Sequence, residues 1–409
     1  MSALSNTLAK TAKPYVIWLI GVSFVLFQFF LQLSSGVIVG AIMKEMQLSA
    51  LEAGILSSSF YYVYTSLQIP VGILFDSKGS RFLLATNALL CSLGCLFFAQ
   101  GTTLVHLIIG RLLIGAGSAF AFVGLSHLLR KHFPIKQFGF LIGLSETLAF
   151  LVTMFGVISL GSFLNQFSWR IFMNGSAVTG LIISYFCWQF LPEDLARFSK
   201  NSNHRQQLIR ILTNGTAWVN GLFVGLSFSV ITVFGAMWAV PFIQVKLNCS
   251  LQEASLVDAM IFLGAALSCP LFGILAAFFK RRKPLLMVSG LSTAFLLLAV
   301  LYLPVQNIKM LAFLMFAIGL CCGAYMLAYT IANELAPPNS LSTCTGFTNT
   351  LAMLTAPLIQ PLIGFLLDQF SKGKEYNLVN YQNALLIIPI VLFIASFLVF
   401  FLPEKNEIC

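Results

Sequence analysis

Roughly twelve stretches of about twenty apolar residues, separated by short polar breaks, run through this 409-residue chain, and no other feature constrains its fold as strongly. A bilayer core of about 30 Å is crossed by about 20 helical residues. In lipid each backbone N–H and C=O must find its partner within the segment, which favours helices. The stretches fall near 16–40, 53–75, 82–100, 104–129, 138–163, 170–191, 217–245, 253–279, 284–304, 309–333, 341–369 and 382–402. With 58% of its residues hydrophobic and 9% charged, the chain reads as an all-α polytopic membrane protein with twelve transmembrane helices. The first run, Val16 to Ile42, is too long for the core of a signal peptide and is expected to be retained.

The formal net charge of +10 could suggest nucleic acid, but the charges alternate with the gaps. Lys10, Lys13, Lys78, Arg81, Arg130, Lys131 and the run Lys280 to Lys283 fall in the N-terminal tail and the even-numbered gaps, against few basic residues in the odd ones. By the positive-inside rule both termini are cytoplasmic. A multi-pass protein of a bacterial cytoplasmic (inner) membrane is expected, with the lipid bilayer and a small molecule as partners, no nucleic acid, and a monomeric state. Most of the nine cysteines lie inside apolar stretches, where a small polarizable side chain packs well. Their spacing implies neither a disulfide framework nor a metal site, and no cofactor motif is present.

Polarity rises over residues 192–216, which divides six helices from six and reads as a tether between bundles 1–191 and 217–409. An internal repeat crosses this divide. `GLSETLA` from Gly143 aligns with `GFTNTLA` from Gly346, and the same offset carries Gly161 onto Gly364 and `LNQF` onto `LDQF`. A nearby offset pairs `SALEA` from Ser49 with `SLQEA` from Ser250. Because each half holds an even number of helices, the halves share one membrane orientation, and a cavity between them is expected.

The gap after the second stretch reads `GILFDSKGSR`. Gly72, Leu74, Asp76, Gly79 and Arg81 match Gly-x-Leu-x-Asp-x-x-Gly-x-Arg/Lys, and `RLLIGAG` from Arg111 to Gly117 matches Arg-x-x-x-Gly-x-Gly. Both resemble signatures of the major facilitator superfamily, whose members are secondary transporters built from two six-helix bundles. The basic residues usual beside Asp76 are replaced by Ser77 and Ser80. Gly72 and Gly79 are expected to allow close packing and a tight turn. Asp76, paired with Arg81 or Arg130, is expected to face the start of the eleventh helix near Asn339 or Ser340 and latch the halves on the cytoplasmic side.

Charges inside a membrane cost about 2.5–3.5 kcal/mol on insertion scales and mark functional positions. Arg111 and Glu146 are the two placed well inside a span. Arg111 is read as a ligand for an anionic group or as a charge satisfied by backbone carbonyls, and Glu146, whose repeat mate is Asn349, as a proton carrier. Gln28 and Gln32, Tyr61 and Tyr64, and in the second half Trp238, Tyr325, Tyr329 and Asn333, form polar-aromatic sets at helical spacing that suit a solute cavity. Asp258 and Asp368 are read as interfacial, and the four histidines as solvated.

No nucleophile–base pair, metal cluster or phosphate-binding loop is visible, so an enzyme is not expected. The expectation is a secondary active transporter of a small organic solute, coupled to protons and working by alternating access. Through Arg111 the reading leans toward a carboxylate-bearing solute: an organic acid, amino acid or peptide, or carboxylate siderophore. Multidrug efflux is the alternative, weakened because `TMFGVISLGS` in the fifth helix lacks the Gly-Pro-x-x-Gly-Gly element of drug antiporters. A receptor on the same fold is the alternative of another class.

Overall fold

The computed structural model describes residues 2–77, 79–192, 204–335 and 341–403, with side chains for 14–75, 79–134, 137–192, 208–335 and 343–403. Among them the chain forms twelve long helical rods and no strand. The first is Ser2–Leu33, interrupted at Ser34 and continued as Ser35–Met46. Ala50–Ser77, Ser80–Ala99, Leu104–His132, Ile135–Phe163 and Trp169–Phe190 complete the first six. After a short helix, His204–Leu212, come Gly215–Leu247, Leu251–Phe279, Lys283–Tyr302, Ile308–Leu335, Leu341–Ser371 and Leu378–Phe401. Eleven of these are long and apolar enough to cross a membrane, and the second is not among them. Its run of Ser57, Ser58 and Ser59, its tyrosines and Gln68 dilute its hydropathy. All of these but Tyr62 are buried.

The repeat is a repeat of turn chemistry. The first rod ends on Gln47 and the seventh on Asn248, both in the left-handed region at φ 51° and 48°. Two residues later a serine starts the next helix in each half. Ser49 N–H donates to Glu52 Oε2 at 2.8 Å and Glu52 N–H returns a bond to Ser49 Oγ at 3.2 Å. Ser250 and Glu253 make the same exchange at 2.9 and 3.3 Å. Each is a capping box, and each satisfies two donors that a helix N-terminus leaves open.

Two seams join the halves: the second rod lies along the eleventh, and the fifth along the eighth. We call the end bearing Arg81, Arg130 and Lys283 the basic end, and the other the outer end. Toward the outer end the seams are tight because glycines admit bare backbone. A Cβ on Gly364 would stand 2.3 Å from Ala50 O, one on Gly54 2.7 Å from Gln360 O, and one on Gly161 2.5 Å from Ser255 Oγ. Gly36 of the first rod meets Met237 O of the seventh in the same way, at 2.6 Å. Toward the basic end the fifth and eighth rods leave space, and no atom lies within 4 Å of a Cβ built on Gly139, Gly143 or Gly273.

Asp368 closes the outer end of the seam between the second and eleventh rods. Ala50 N–H donates to its Oδ1 at 3.1 Å and Leu51 N–H to its Oδ2 at 2.9 Å. The Tyr376 hydroxyl donates to Oδ1 at 2.6 Å and lies 3.0 Å from Ala50 N. Burial, and then the Asp368 carboxylate, push that hydroxyl up to about 12. A carboxylate from one half thus caps a helix of the other, where the N-terminal dipole favours negative charge.

Several expectations need correction. Asp258 is not interfacial but 1% exposed. Lys246, one of the few basic residues of the odd-numbered gaps, is buried and donates to the carbonyls of Leu301 and Leu303 at 3.4 and 2.8 Å. Gly79 sits at φ −64°, a conformation any residue adopts, so no left-handed turn demands glycine there. His127 is half-buried against Phe75, ring centroids 5.7 Å apart, rather than solvated. The seventh rod is not one continuous α-helix: Val230–Trp238 is wound as a π-helix between α segments. Gln360 Nε2 takes one of its carbonyls, Thr232 O, at 2.7 Å.

Candidate functional site

A cavity lies between the halves and opens between rods of both, with about 700 Å³ of atom-free space counting its mouth. Its mouth carries Arg130, Phe138, Asn333 and Thr345, near the basic ends of the fourth, fifth, tenth and eleventh rods. Deeper in, Glu146 of the fifth rod shares it with Tyr64 of the second, Tyr325 and Tyr329 of the tenth, and Asn349 and Met353 of the eleventh. Phe29, Phe122 and Phe228 complete the apolar wall. Such a lining, mostly apolar with a few convergent polar groups, is that of a small-molecule site.

A hydrogen-bond chain crosses the cavity wall from one half to the other. Tyr329 hydroxyl donates to Asn349 Oδ1 at 3.0 Å, and Asn349 Nδ2 donates to Gln68 Oε1 at 2.9 Å. Gln68 was not among the sequence candidates, although it lies four residues after Tyr64 and so on the same helix face. The wall is stiffened by Phe228 packed on Tyr325, centroids 4.7 Å apart. Glu146 is 7% exposed, and among the described residues it makes no hydrogen bond or ion pair. A buried carboxylate without donors stays neutral or waits for a ligand.

Of the sequence candidates, Tyr64, Glu146, Tyr325, Tyr329, Asn333 and Asn349 line this cavity. Arg111, Gln28, Gln32, Tyr61 and Trp238 do not. Arg111 repairs the break in the first rod. Its Nη1 donates to Leu31 O at 3.2 Å, and its Nη2 to Ser35 Oγ at 2.8 Å and to Ser57 O at 3.3 Å. Its guanidinium also lies over the Phe60 ring, 5.5 Å from the centroid. Its placement matches the backbone-carbonyl alternative of the two read from sequence. Gln28 Nε2 donates to Gln32 Oε1, and Gln32 Nε2 reaches Met353 Sδ at 3.5 Å, which puts this pair just behind the cavity wall. Tyr61 is packed edge-on to Phe60, and Trp238 is 1% exposed at the end of the π segment.

Among the gating candidates, Gly72 and Arg130 line a smaller pocket beside the main one, with Phe75, His127 and Gly346. Arg130 also lies over the Phe138 ring at 5.3 Å, and Arg81 over the Trp188 ring at 5.0 Å. The Asp76 side chain, Lys78 and the expected cap at Asn339 or Ser340 lie outside the described residues. Among the described residues, no three or more His, Cys, Asp and Glu side chains gather as a metal site would require.

Comparison with known proteins gives a consistent outcome. A family model described as Major Facilitator Superfamily matches residues 19–239 and 222–408. A curated relative, the uncharacterized transporter YybO of Bacillus subtilis (strain 168), is 25% identical over 84% of this chain and 85% of its own. Solved structures share the fold at lower identity. A bacterial homolog of the human lysosomal transporter Spinster, in an inward-facing and unoccupied conformation, aligns with TM-score 0.74, 15% identity and 96% of each chain. The nucleoside transporter NupG aligns with TM-score 0.75 and 13% identity over 94% of this chain and 99% of its own. A D-xylose–proton symporter gives 0.73 and 15% over 97% and 99%.

Proposed function

The chain belongs to the major facilitator superfamily of transporters, and from that premise we propose that it moves a small organic solute by alternating access, with Glu146 carrying the coupling proton. The observation that carries this reading is the placement of Glu146: a carboxylate with no basic partner among the described residues, in a cavity between the halves, open toward the basic end while Asp368 and the glycine seams close the outer end. In this geometry the carboxylate meets solvent from one side at a time. Protonation that follows access couples the two.

By the positive-inside rule we place the basic end and both termini in the cytoplasm, which makes the described conformation inward-facing. The 192–216 segment then serves as a cytoplasmic tether, and the loop from Gly72 to Arg81 as the latch that forms when the basic end closes. The solute is held by hydrogen bonds to Asn333, Asn349 and Tyr329 and by contact with the surrounding rings. A carboxylate on it would meet Arg130 at the cavity mouth, since the Arg111 donors Nη1 and Nη2 are taken by the first and second rods. A second reading, proton-driven efflux of amphipathic drugs, draws support from the phenylalanine and methionine lining around a single deep carboxylate.

A thermal-shift screen of organic acids, amino acids, nucleosides, sugars and cationic dyes on the purified protein tests the solute class. Proteoliposome uptake with and without a pH gradient then tests the coupling. Uptake driven by an inward proton gradient supports symport, and expulsion of dyes under the same gradient supports the second reading. Transport indifferent to any proton gradient would remove Glu146 from the coupling.

A further inference from the structure

The seam between the fifth and eighth rods holds two buried carboxylates at different depths. Besides Glu146 there is Asp258, 1% exposed on the eighth rod, whose Oδ1 receives no hydrogen bond. One turn earlier on the same helix face, Ser255 is fully buried and its Oγ is also without a partner. Ser255 packs on Gly161 of the fifth rod, so this face looks across the seam at its closed outer end.

The seam's register separates the two carboxylates. Thr147 Oγ1, next to Glu146, donates to Ala266 O at 3.2 Å. Asp258 lies eight residues outward of Ala266, which is roughly 12 Å along the helix. Glu146 therefore belongs to the cavity that opens at the basic end, and Asp258 to the part of the seam that is shut.

Other charges do not neutralise Asp258. On its own rod, Glu253 is engaged with Ser250. From the packed rods, Lys246 of the seventh donates to Leu301 and Leu303, and Lys283 of the ninth donates to Phe400 O at the basic end. Lys309 is in the first turn of the tenth, whose Tyr325 and Tyr329 lie at the level of the cavity. Among the described residues none of these, nor Glu146, bonds to Asp258. Among the described residues neither a donor nor a cation replaces the water that such a carboxylate loses, so its ionised form is costly there.

We infer that Asp258 is a second proton-binding site, protonated while the outer seam is closed and ionised when it opens. On opening, the carboxyl O–H bond breaks and the proton passes to water in the outer vestibule. On closing, a proton is taken back from that water. The sign follows: raising the pH outside favours the open seam, and lowering it favours the closed one. The inference shares with the proposed function only the alternating movement of the halves, and it stands or falls independently of Glu146.

Infrared spectroscopy of the protein in lipid vesicles tests it directly, because a buried protonated carboxyl has its own C=O band. With isotope-labelled aspartate, part of that band in the wild type should shift. It should be absent from Asp258→Asn and present in Glu146→Gln. Gly364→Val, which holds the outer end apart, should lose the aspartate part of the band at the same pH. The wild-type measurement decides even where a variant fails to fold: a band that does not respond to aspartate labelling overturns the proposal. So does an aspartate band that survives in Asp258→Asn, or one abolished by sodium at constant pH, which would assign the site to a metal cation. Loss of a band only in Glu146→Gln would leave the proposed function intact and remove this one.

Discussion

Glu146 and Asn349 stand at matching positions of the two repeats and line one cavity, one able to lose a proton and the other not. The two positions share one register of the internal repeat and differ in charge. Asn349 holds Tyr329 and Gln68 in place, while Glu146 is held by no hydrogen bond or ion pair among the described residues. The carboxylate is therefore not needed to complete the packing. Glu146→Gln should abolish accumulation driven by a pH gradient yet retain exchange of solute for solute, which counterflow in proteoliposomes measures. Equal gradient-driven accumulation by the variant and the wild type counts against a coupling role.

Asn349 is the joint between the halves at the cavity wall. Replacing it by leucine leaves Gln68 and Tyr329 without their partner, at a cost of about 1–3 kcal/mol. Solute affinity should fall roughly ten-fold or more. Asn349→Gln should recover part of this. Calorimetric titration with the solute found by the thermal-shift screen checks both, and an unchanged affinity in the leucine variant would place the solute elsewhere.

Asp368→Asn removes the charge that caps the second rod while keeping its shape. A capping interaction is worth about 1 kcal/mol and a favourable helix-dipole term a comparable amount. The closed outer end should weaken about ten-fold. Amide hydrogen exchange at Ala50 and Leu51 should accelerate by that factor, with little change at the basic end. Protection equal to the wild type would show that the glycine contacts alone close the seam.

Gly364→Val puts a branched side chain where a Cβ would stand 2.3 Å from Ala50 O. Overpacking of this kind costs about 1–3 kcal/mol, and here it acts on the closed state alone. Counterflow should drop roughly ten-fold or more, whereas Gly143→Val, at a position with nothing within 4 Å, should be tolerated in the same assay. Similar losses in both would point to a general folding defect.

At the outer end of the first bundle, Glu45 pairs with Arg170 and accepts from Trp169 Nε1 at 2.6 Å. Burial alone would raise its carboxyl, but the bonds from Arg170 and Trp169 hold it below its ordinary value. A lowered value contributes stability that is complete above the ordinary carboxylate range and is lost as pH falls through the folded-state value. Thermal unfolding in detergent should show this loss between about pH 5 and 3, and Glu45→Gln should flatten that limb. Parallel acid limbs would show that the pair contributes nothing measurable.

The helices, the repeat and the family signatures were legible because apolar length, turn residues and motif spacing are local properties. Glu146, Tyr64, Tyr329 and Asn349 were legible too, since a charge or a polar-aromatic set inside an apolar helix is conspicuous wherever it points. Arg111 shows the limit. Its charge was conspicuous, but the carbonyl it serves is freed by a break at Ser34 that the apolar run does not announce. Asp258 was misread because its distance from the helix end suggested the interface, and only packing shows that the face carrying it is covered. The π-helical turn around Trp238 left no mark in the hydropathy pattern, which keeps its apolar character under either winding.

The capping of the second rod bears on how the protein is made. Ser49 and Glu52 satisfy two of its first donors at once, but the group that satisfies Ala50 and Leu51 is synthesised 317 residues after Leu51. During translation the first six helices enter the bilayer with that terminus still answered by water. The first turn of an early helix is therefore completed by almost the last segment to arrive. A chain cut short before Asp368 would lack the carboxylate that closes the start of its second helix.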